Sequence, residues 1–159
     1  MTAQSLDRTL TAYRIGDPAG AYSIFDAAGS RLYPGRWNTR ASPMIYASRH
    51  YSTAMLEKLA AGSGDLPANQ HFVEIVVDAG ISYEVFSEAH HPGWDSPGAS
   101  VAKALGEAWR LSGRSAILLV PSYVARMEQN VLINPAHPDF PRIRPGLATP
   151  VWWDERLFA

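Results

Sequence analysis

The sequence predicts a single α+β domain over residues 1–159, built around a central, mainly antiparallel sheet. Three observations support this fold class. The 159 residues suit one domain, since domains usually run to about 100–200 residues. Short apolar runs typical of strands outnumber the segments with helical spacing. The order of these segments shows no regular alternation of strand and helix, which disfavours a doubly wound parallel sheet.

Six short segments have the composition of strands, and a proline-rich tail follows the last of them. Residues 72–78 alternate, with Val73, Ile75 and Val77 on one face. We expect residues 82–86 to pair with that segment after a turn at Ala79-Gly80. The other four predicted strands are residues 12–15, 44–48, 116–120 and 131–133.

Two helices are predicted from their start and stop signals. Ser52 caps the first helix, which Gly62 ends. Ser96 caps the second, which keeps apolar residues at helical spacing until Gly113 stops it. Residues 16–38 are rich in Gly and Pro and are predicted to form a loop. Loops longer than about 12–15 residues in compact domains are usually functional or disordered, and this one carries aromatics and arginines. We therefore expect it to contribute to a functional site.

Composition excludes several classes of function. The 14 Lys+Arg and 15 Asp+Glu give a net charge of −1, so no overall positive field draws the protein onto DNA or an anionic membrane. Without cysteine, no disulfide, thiol nucleophile or cysteine-bound metal can form. The five histidines lack the spacing of metal ligands, so no metal site is expected. A Gly-x-Ser-x-Gly elbow and a Walker loop are also absent.

The sequence carries no targeting signal, so a cytoplasmic protein is expected. Its first ten residues have no apolar core of a signal peptide, and no segment approaches the roughly 18 consecutive apolar residues of a membrane span. Charged residues make up 18%, against about 25% in soluble proteins. This low fraction predicts that a partner chain covers part of the surface.

The densest group of polar candidates begins in the segment Gly35-Arg36-Trp37-Asn38. The Arg36 guanidinium could fork onto a phosphate, with Gly35 letting the backbone come close. In the alternative interpretation, Trp37 anchors the loop and Arg36 pairs with a surface carboxylate. Tyr46 lies in an apolar strand, where an aromatic residue usually packs in the core.

Three further segments supply candidates, each with a structural alternative. Glu57 either faces solvent beside Lys58, which helical geometry favours, or enters a pocket where Arg36 neutralises it. Ser122 follows a buried strand, where site residues often emerge, although a serine after Pro121 also suits a turn. The prolines after Asn134 and His137 hold these two residues in a rigid, extended segment, which could instead cap the edge of the sheet.

Taken together, these segments resemble the RES domain family, which is named for an Arg, a Glu and a Ser. The resemblance rests on their order and spacing over nearly the whole chain. Arg36 precedes Tyr46 by ten residues, and Glu57 follows eleven residues later. One departure is Ala41-Ser42 before Pro43, where the family often has a glycine. The segments that carry the resemblance are Tyr13-Arg14-Ile15, Gly35-Arg36-Trp37-Asn38, Ile45-Tyr46-Ala47-Ser48, Ala54-Met55-Leu56-Glu57, Pro121-Ser122 and Asn134-Pro135-Ala136-His137-Pro138-Asp139-Phe140.

The resemblance implies the toxin half of a bacterial toxin–antitoxin pair, with a fold similar to that of ADP-ribosyltransferases. It implies cleavage of the nicotinamide–ribose bond of NAD+, by hydrolysis or by phosphorolysis with inorganic phosphate. NAD+ is then a substrate, and no prosthetic group or metal is expected. The implied partner is an antitoxin with an Xre-like helix-turn-helix domain that covers the active site. A homodimer within such a complex fits the same picture.

The resemblance also implies roles for individual residues. Glu57 would stabilise the oxocarbenium ion of the ribose, and Tyr46 would stack on or orient the nicotinamide. Arg36 would hold the pyrophosphate, with Arg14 as a second phosphate contact, and Ser122 would hydrogen-bond the substrate near the ribose. The remaining residues expected to bind substrate are Trp37, Asn38, Asn134 and His137.

Two other functions remain open at this stage. The same residues would support transfer of ADP-ribose onto a specific protein. Alternatively, the polar cluster could recognise a nucleotide or a partner without catalysis.

Overall fold

Strands form where apolar and β-branched residues alternate or run together, and in this chain they join one sheet. The computed structural model describes residues 2–65 and 67–158. Within those ranges the sheet has nine strands. In chain order they are β1 (Gln4–Ser5), β2 (Leu10–Gly16), β3 (Ile45–Ser48), β4 (His71–Val77), β5 (Ser82–Val85), β6 (Ile117–Pro121), β7 (Gln129–Ile133), β8 (Ile143–Pro145) and β9 (Thr149–Pro150).

The order of strands across the sheet is β1-β5-β6-β7-β3-β2-β4-β8, and β9 also pairs with β4. The pairs are antiparallel apart from β5 and β6, which are parallel. Helix α3 (Ser100–Ser112) lies in the connection between these two strands, because parallel neighbours need a long crossover. The predicted α+β class with a mainly antiparallel sheet is confirmed.

One predicted strand pairing is wrong. Residues 82–86 do not pair back onto residues 72–78, because the chain leaves β4 towards the N-terminal strand. The Gly80 N–H donates to the Leu6 carbonyl at 2.7 Å, and β5 then lies between β1 and β6. The edges of β4 are taken by β2 on one side and by β8 and β9 on the other. The last two strands form within the predicted proline-rich tail.

The two predicted helices are present, with different starts. Helix α2 (Tyr51–Ala61) begins one residue before the predicted cap at Ser52. Helix α3 begins after a turn in which the Ala99 N–H donates to the Ser96 carbonyl at 3.0 Å, so Ser96 does not cap it. Gly113 ends α3 in the left-handed conformation, with φ of 67°, as the sequence predicts.

The predicted loop over residues 16–38 contains a helix of five residues, α1 (Ala28–Leu32). The Asp26 carboxylate accepts a hydrogen bond from the Ala28 N–H at 2.7 Å and so supports its first turn. A single turn and a half is too short to show helical periodicity in the sequence, which explains why it was not predicted. Three 3₁₀ turns complete the regular structure of the described residues, at Glu88–His90, Phe140–Arg142 and Glu155–Phe158.

Two hydrophobic clusters cover the two faces of the sheet. Along β6, Ile117 and Leu119 belong to one cluster, and Leu118 and Val120 belong to the other. Helix α3 packs into the second cluster through Trp109, which is fully buried. Because β6 is buried on both faces, its sequence is a continuous apolar run rather than an alternating one.

The sheet is split between β2 and β3. Strand β3 pairs with β7 at four positions and β2 pairs with β4 at seven, but β2 and β3 share only the pair Tyr13–Ser48. Helix α2, which follows β3, packs against both strands. The divergence of β2 and β3 leaves a gap in the sheet beside α2, and this gap positions the candidate site. None of the helices in the described ranges is long and apolar enough to span a membrane.

Candidate active site

A cavity of about 190 Å³ lies where β2 and β3 diverge. Strand β2 contributes Tyr13 and Arg14 to its wall, β3 contributes Tyr46, and β7 contributes Asn130. The fourth wall is helix α2. Polar and aromatic side chains from four separate segments therefore converge on one concave site, which is the usual form of a small-molecule site.

One face of α2 lines the cavity. Its lining residues are Ala54, Glu57, Lys58 and Ala61, which are spaced three, four and seven residues from the first. Residues at this spacing lie on the same side of a helix. The two alanines occupy little space, so the carboxylate of Glu57 and the ammonium of Lys58 are the chemical groups that this face presents to the cavity.

The Glu57 carboxylate is held through one of its two oxygens. Oε1 accepts a hydrogen bond from the Ser122 hydroxyl at 2.7 Å and another from the Asn130 amide at 2.8 Å. The Ser48 hydroxyl in turn donates to Oδ1 of Asn130 at 2.7 Å, which orients that amide with its NH₂ towards Glu57. No described residue donates to Oε2 of Glu57. The arrangement fixes the carboxylate and leaves one oxygen for a ligand.

The expectation that Glu57 faces solvent is wrong, and so is the pairing with Arg36 in the alternative pocket. Neutral donors hold the carboxylate instead of a guanidinium. Ser122, directly after β6, is fully buried and also accepts a hydrogen bond from the Ala125 N–H at 3.0 Å. Its hydroxyl therefore binds both Glu57 and the backbone of the turn. Ser122 is thus both a neighbour of the site and a turn residue.

Arg14 bridges the gap in the sheet. Its Nη1 donates to the Tyr46 carbonyl of β3 at 2.7 Å, and its Nε donates to the Ile24 carbonyl at 2.7 Å. Burial lowers the pKa of the Arg14 guanidinium, and the nearby Asp26 acts in the opposite direction. Arginine nevertheless stays protonated in proteins. A permanent positive charge therefore lies in the wall of the cavity.

Tyr46 connects the cavity to the preceding loop. Its hydroxyl donates to Asn38 Oδ1 at 2.7 Å and accepts from the Trp37 N–H at 3.0 Å. Burial raises the pKa of Tyr46, so its phenol stays protonated at neutral pH. A Cβ at Gly35 would lie 2.7 Å from Cζ of Tyr46, so the glycine is needed for close approach to this ring. With its hydroxyl engaged in the loop, Tyr46 offers mainly its ring to the cavity.

Arg36 lies outside the cavity. Its Nη1 donates to the carbonyls of Trp94 at 3.1 Å and Ser96 at 2.9 Å, and its guanidinium stacks on the Tyr123 ring at 3.7 Å. Within the described ranges it pairs with no carboxylate, so the alternative of a surface ion pair is also wrong. Arg36 ties the loop over residues 94–96 to the segment that follows Ser122.

Trp37 and Asn38 are buried supports of the loop rather than cavity residues. Trp37 is 2% exposed and packs on Phe86 and Trp94, as the anchoring interpretation expects. Asn38 is fully buried, and its NH₂ donates to the carbonyls of Ser30 and Thr39, both at 2.9 Å. Neither lines the cavity, and their contact with substrate stays a prediction.

Asn134 and His137 lie at the far end of β7, and the structure does not bring them to the cavity. Asn134 lies four positions after Asn130, which corresponds to about 13 Å along a strand. The Asn134 amide donates to the Arg110 carbonyl at 3.2 Å, and its Oδ1 accepts from Ala136 N–H at 3.0 Å. Nδ1 of His137 accepts from the Asp139 N–H. Backbone groups hold both side chains at this end of β7, and their contact with substrate stays a prediction.

Sequence reasoning did not identify Asn130, Ser48 and Lys58 as site residues. The stripe Ala54, Glu57, Lys58 and Ala61 at helical spacing was a usable signal for Lys58, because small residues beside charged ones leave room for a ligand. Asn130 and Ser48 gave no local signal, since their importance depends on the register between β3 and β7. Over the described residues, no three His, Asp or Glu side chains lie close enough together to hold a metal ion.

Comparison with known proteins shows which family this chain matches. The family model described as RES domain matches residues 11–154. A protein of Sphingobium sp. (strain YBL2) named Prs ADP-ribosylating toxin is 37% identical over 156 residues, covering 94% of this chain and 97% of the relative. Toxin Res of Yersinia enterocolitica is 32% identical over 131 residues, covering 80% and 86%.

A solved structure shares the fold. It is the M. tuberculosis MbcT-MbcA toxin–antitoxin complex, in which one chain matches with a TM-score of 0.71 and 18% identity. The match covers 92% of this chain and 86% of that chain. The overall fold is therefore found in another protein of low sequence identity.

Proposed function

This chain belongs to the RES domain family, and we propose that it is the toxin of a bacterial toxin–antitoxin pair and cleaves the nicotinamide–ribose bond of NAD+. The observation that carries the proposal is the Glu57 carboxylate, held through Oε1 by Ser122 and Asn130 with Oε2 left for a ligand inside a cavity. The names of the relatives supply the toxin class, and the site supplies the chemistry.

A fixed carboxylate suits this reaction. When the bond from C1′ of the ribose to the nicotinamide nitrogen breaks, its electron pair goes to the ring nitrogen and neutral nicotinamide leaves. The ribose becomes an oxocarbenium-like cation, which a preorganised carboxylate stabilises. An acceptor oxygen then bonds to C1′ and loses its proton. Oε2 of Glu57 would face the ribose, where it can also accept a hydrogen bond from a ribose hydroxyl.

The other cavity residues have supporting roles in this proposal. The Tyr46 ring would stack on or orient the nicotinamide. Ser122 and Asn130 would position Glu57 without touching the substrate. The phosphate contact first expected of Arg36 is assigned to Arg14, because Arg14 lines the cavity and Arg36 does not.

The acceptor distinguishes two versions of the function. Water or inorganic phosphate would make the protein a glycohydrolase or a phosphorylase that depletes NAD+. A protein side chain would make it an ADP-ribosyltransferase, and the 37% identical relative named Prs ADP-ribosylating toxin favours this second candidate. Both versions use the same bond cleavage, so Glu57 is required for either.

We also propose that an antitoxin with an Xre-like helix-turn-helix domain covers this site. The matching fold occurs in a solved toxin–antitoxin complex. Beside Arg36, the chain exposes apolar side chains after Ser122, namely Tyr123 at 40%, Val124 at 41% and Met127 at 97%. Apolar side chains exposed together often mark a protein interface. The low charged fraction of the sequence agrees with a surface of this kind.

The test is incubation of the purified protein with NAD+, with and without phosphate, while nicotinamide release is followed. We expect release by the wild type and a loss of at least about 100-fold in Glu57→Gln, as for removal of one charge-stabilising group. Glu74→Gln is the matched control, since Glu74 is exposed on β4 and lines no cavity; its rate should equal that of the wild type.

The products identify the acceptor. Free ADP-ribose indicates water, ADP-ribose 1″-phosphate indicates phosphate, and a modified protein in a treated lysate, found by mass spectrometry, indicates transfer. Full release by Glu57→Gln would contradict the mechanism. Binding of NAD+ with no nicotinamide release under any of these conditions would indicate a binding module and contradict the proposed enzyme.

A further inference from the structure

A second cavity, of about 160 Å³, adjoins the first. The two cavities share Arg14, Ile15 and Lys58 in their walls. Each is smaller than the roughly 300–1,000 Å³ of common ligand pockets, but together they enter that range. We call these three residues the shared wall. A ligand that occupied both cavities would lie against it.

The shared wall carries two positive charges. Among the described residues, the Lys58 ammonium makes no hydrogen bond or ion pair. Burial lowers the pKa of Lys58, the neighbouring Arg14 lowers it further, and Asp17 acts in the opposite direction. Asp26 and Asp17 partly balance the charges of Arg14 and Lys58, but no described carboxylate forms an ion pair with either cation, so a bound anion can pair with both.

We propose that Lys58 and Arg14 hold the diphosphate of a dinucleotide across this shared wall. The nicotinamide riboside half lies in the cavity with Glu57, and the adenosine half lies in the second cavity. This assignment rests on the proposed function for the identity of the nicotinamide half. It assigns Lys58, one of two lysines in the chain, a role as a binding residue.

The second cavity has the chemistry of an adenosine site. Tyr22 is 44% exposed there and can stack on a base. Asp17 and Asp26 also line it, and each binds backbone N–H groups through Oδ1, at Ala19 and Ala28 respectively. Carboxylates accept hydrogen bonds from ribose hydroxyls and repel a 2′-phosphate. The site therefore favours NAD+ over NADP+.

The binding test uses ADP, which carries the adenosine and the diphosphate but no nicotinamide. Calorimetric titration of the full chain should show ADP binding that weakens about 10- to 100-fold in Lys58→Gln, the usual effect of losing a charged hydrogen bond. Lys58→Arg should restore most of the affinity. The matched control is Lys103→Gln, since Lys103 lies on α3 and lines neither cavity; its affinity should equal that of the wild type.

Equal ADP affinity in Lys58→Gln and the wild type would overturn the inference, provided that thermal unfolding shows both are folded. So would NADP+ inhibiting ADP binding as strongly as NAD+ does. Failure of the proposed function gives a different result, because a chain that binds ADP through Lys58 but releases no nicotinamide keeps the binding site and loses the reaction. Conversely, nicotinamide release with an unchanged KM in Lys58→Gln would keep the reaction and overturn the site.

Discussion

The two ends of β7 carry the same side chain in opposite settings. Asn130, near the start of the strand, donates to the carboxylate of Glu57 in the cavity. Ser48 of the neighbouring strand β3 fixes the Asn130 amide. Asn134, just past the end of the strand, is 1% exposed and donates to the carbonyl of Arg110 in the last turn of α3. Its oxygen accepts from the backbone of Ala136.

The difference between the two ends separates a functional asparagine from a structural one. At the Asn134 end the amide is matched to backbone groups, including a carbonyl that the end of a helix leaves without a partner. At the Asn130 end the network stops at Glu57, whose second oxygen has no donor among the described residues. A polar network that ends at an unmatched atom in a cavity is prepared for a ligand, whereas a closed one contributes to stability.

The largest effect is expected at the functional end, from Asn130→Asp. The new carboxylate would lie against Glu57, and the repulsion between two adjacent carboxylates favours a proton shared between them. The turnover number, kcat, for nicotinamide release should fall about 100-fold at neutral pH, and the acid limb of its pH profile should move to higher pH. Steady-state kinetics across a pH series measure both.

Asn130→Ala is the control for that experiment, since it removes the amide without adding a charge. It should lower kcat by a smaller factor and leave the acid limb where it is in the wild type. If Asn130→Asp keeps the wild-type kcat and pH profile, Asn130 does not position Glu57.

A smaller effect is expected from Ser48→Ala, one step further from the substrate. Losing the hydrogen bond to Asn130 frees the amide to rotate, and a typical hydrogen bond of about 1 kcal/mol corresponds to about 5-fold in kcat. KM should change little, because Ser48 orients groups on the protein. Ser48→Thr, which keeps the hydroxyl, should recover the rate; a Thr variant as slow as the Ala variant would argue against this role.

The smallest effect on catalysis is expected at the structural end. Asn134→Ala leaves the Arg110 carbonyl and the Ala136 N–H without their partner and should lower the free energy of unfolding by about 1–3 kcal/mol. At temperatures well below unfolding, kcat and KM should equal the wild-type values. Denaturant unfolding and steady-state kinetics on the same sample check the two halves of the prediction. A raised KM in a folded Asn134→Ala would return this residue to the binding site.

Local signals in the sequence predicted much of the fold. The apolar runs at β3 and β6, the alternation in β4 and the stop of α3 at Gly113 each depend on neighbours in the chain, and each was predicted correctly. The partners of β5 were not, because Ala79-Gly80 suits a tight hairpin and only tertiary contacts send the chain to β1 instead. The short helix α1 was also missed, since it has no period to detect.

The site was partly predictable for the same reason. The order of motifs typical of the family helped to identify Glu57, Tyr46, Ser122 and Arg14. In the structure Glu57, Tyr46 and Arg14 line one cavity, and Ser122 binds Glu57. The contact between Glu57 and Ser122 spans 65 positions in the chain, and that with Asn130 spans 73, so no local pattern encodes either. Arg36 matched the chemistry of a phosphate site, but it lines neither cavity, and its Nη1 donates to the carbonyls of Trp94 and Ser96.

The most direct test of the account is a crystal structure of Glu57→Gln with NAD+, because the variant should retain the substrate uncleaved. We predict the C1′–nicotinamide bond beside the side chain of residue 57, the nicotinamide against the Tyr46 ring, and the diphosphate between Arg14 and Lys58. NAD+ bound instead over Arg36 and Tyr123, away from the gap between β2 and β3, would contradict it.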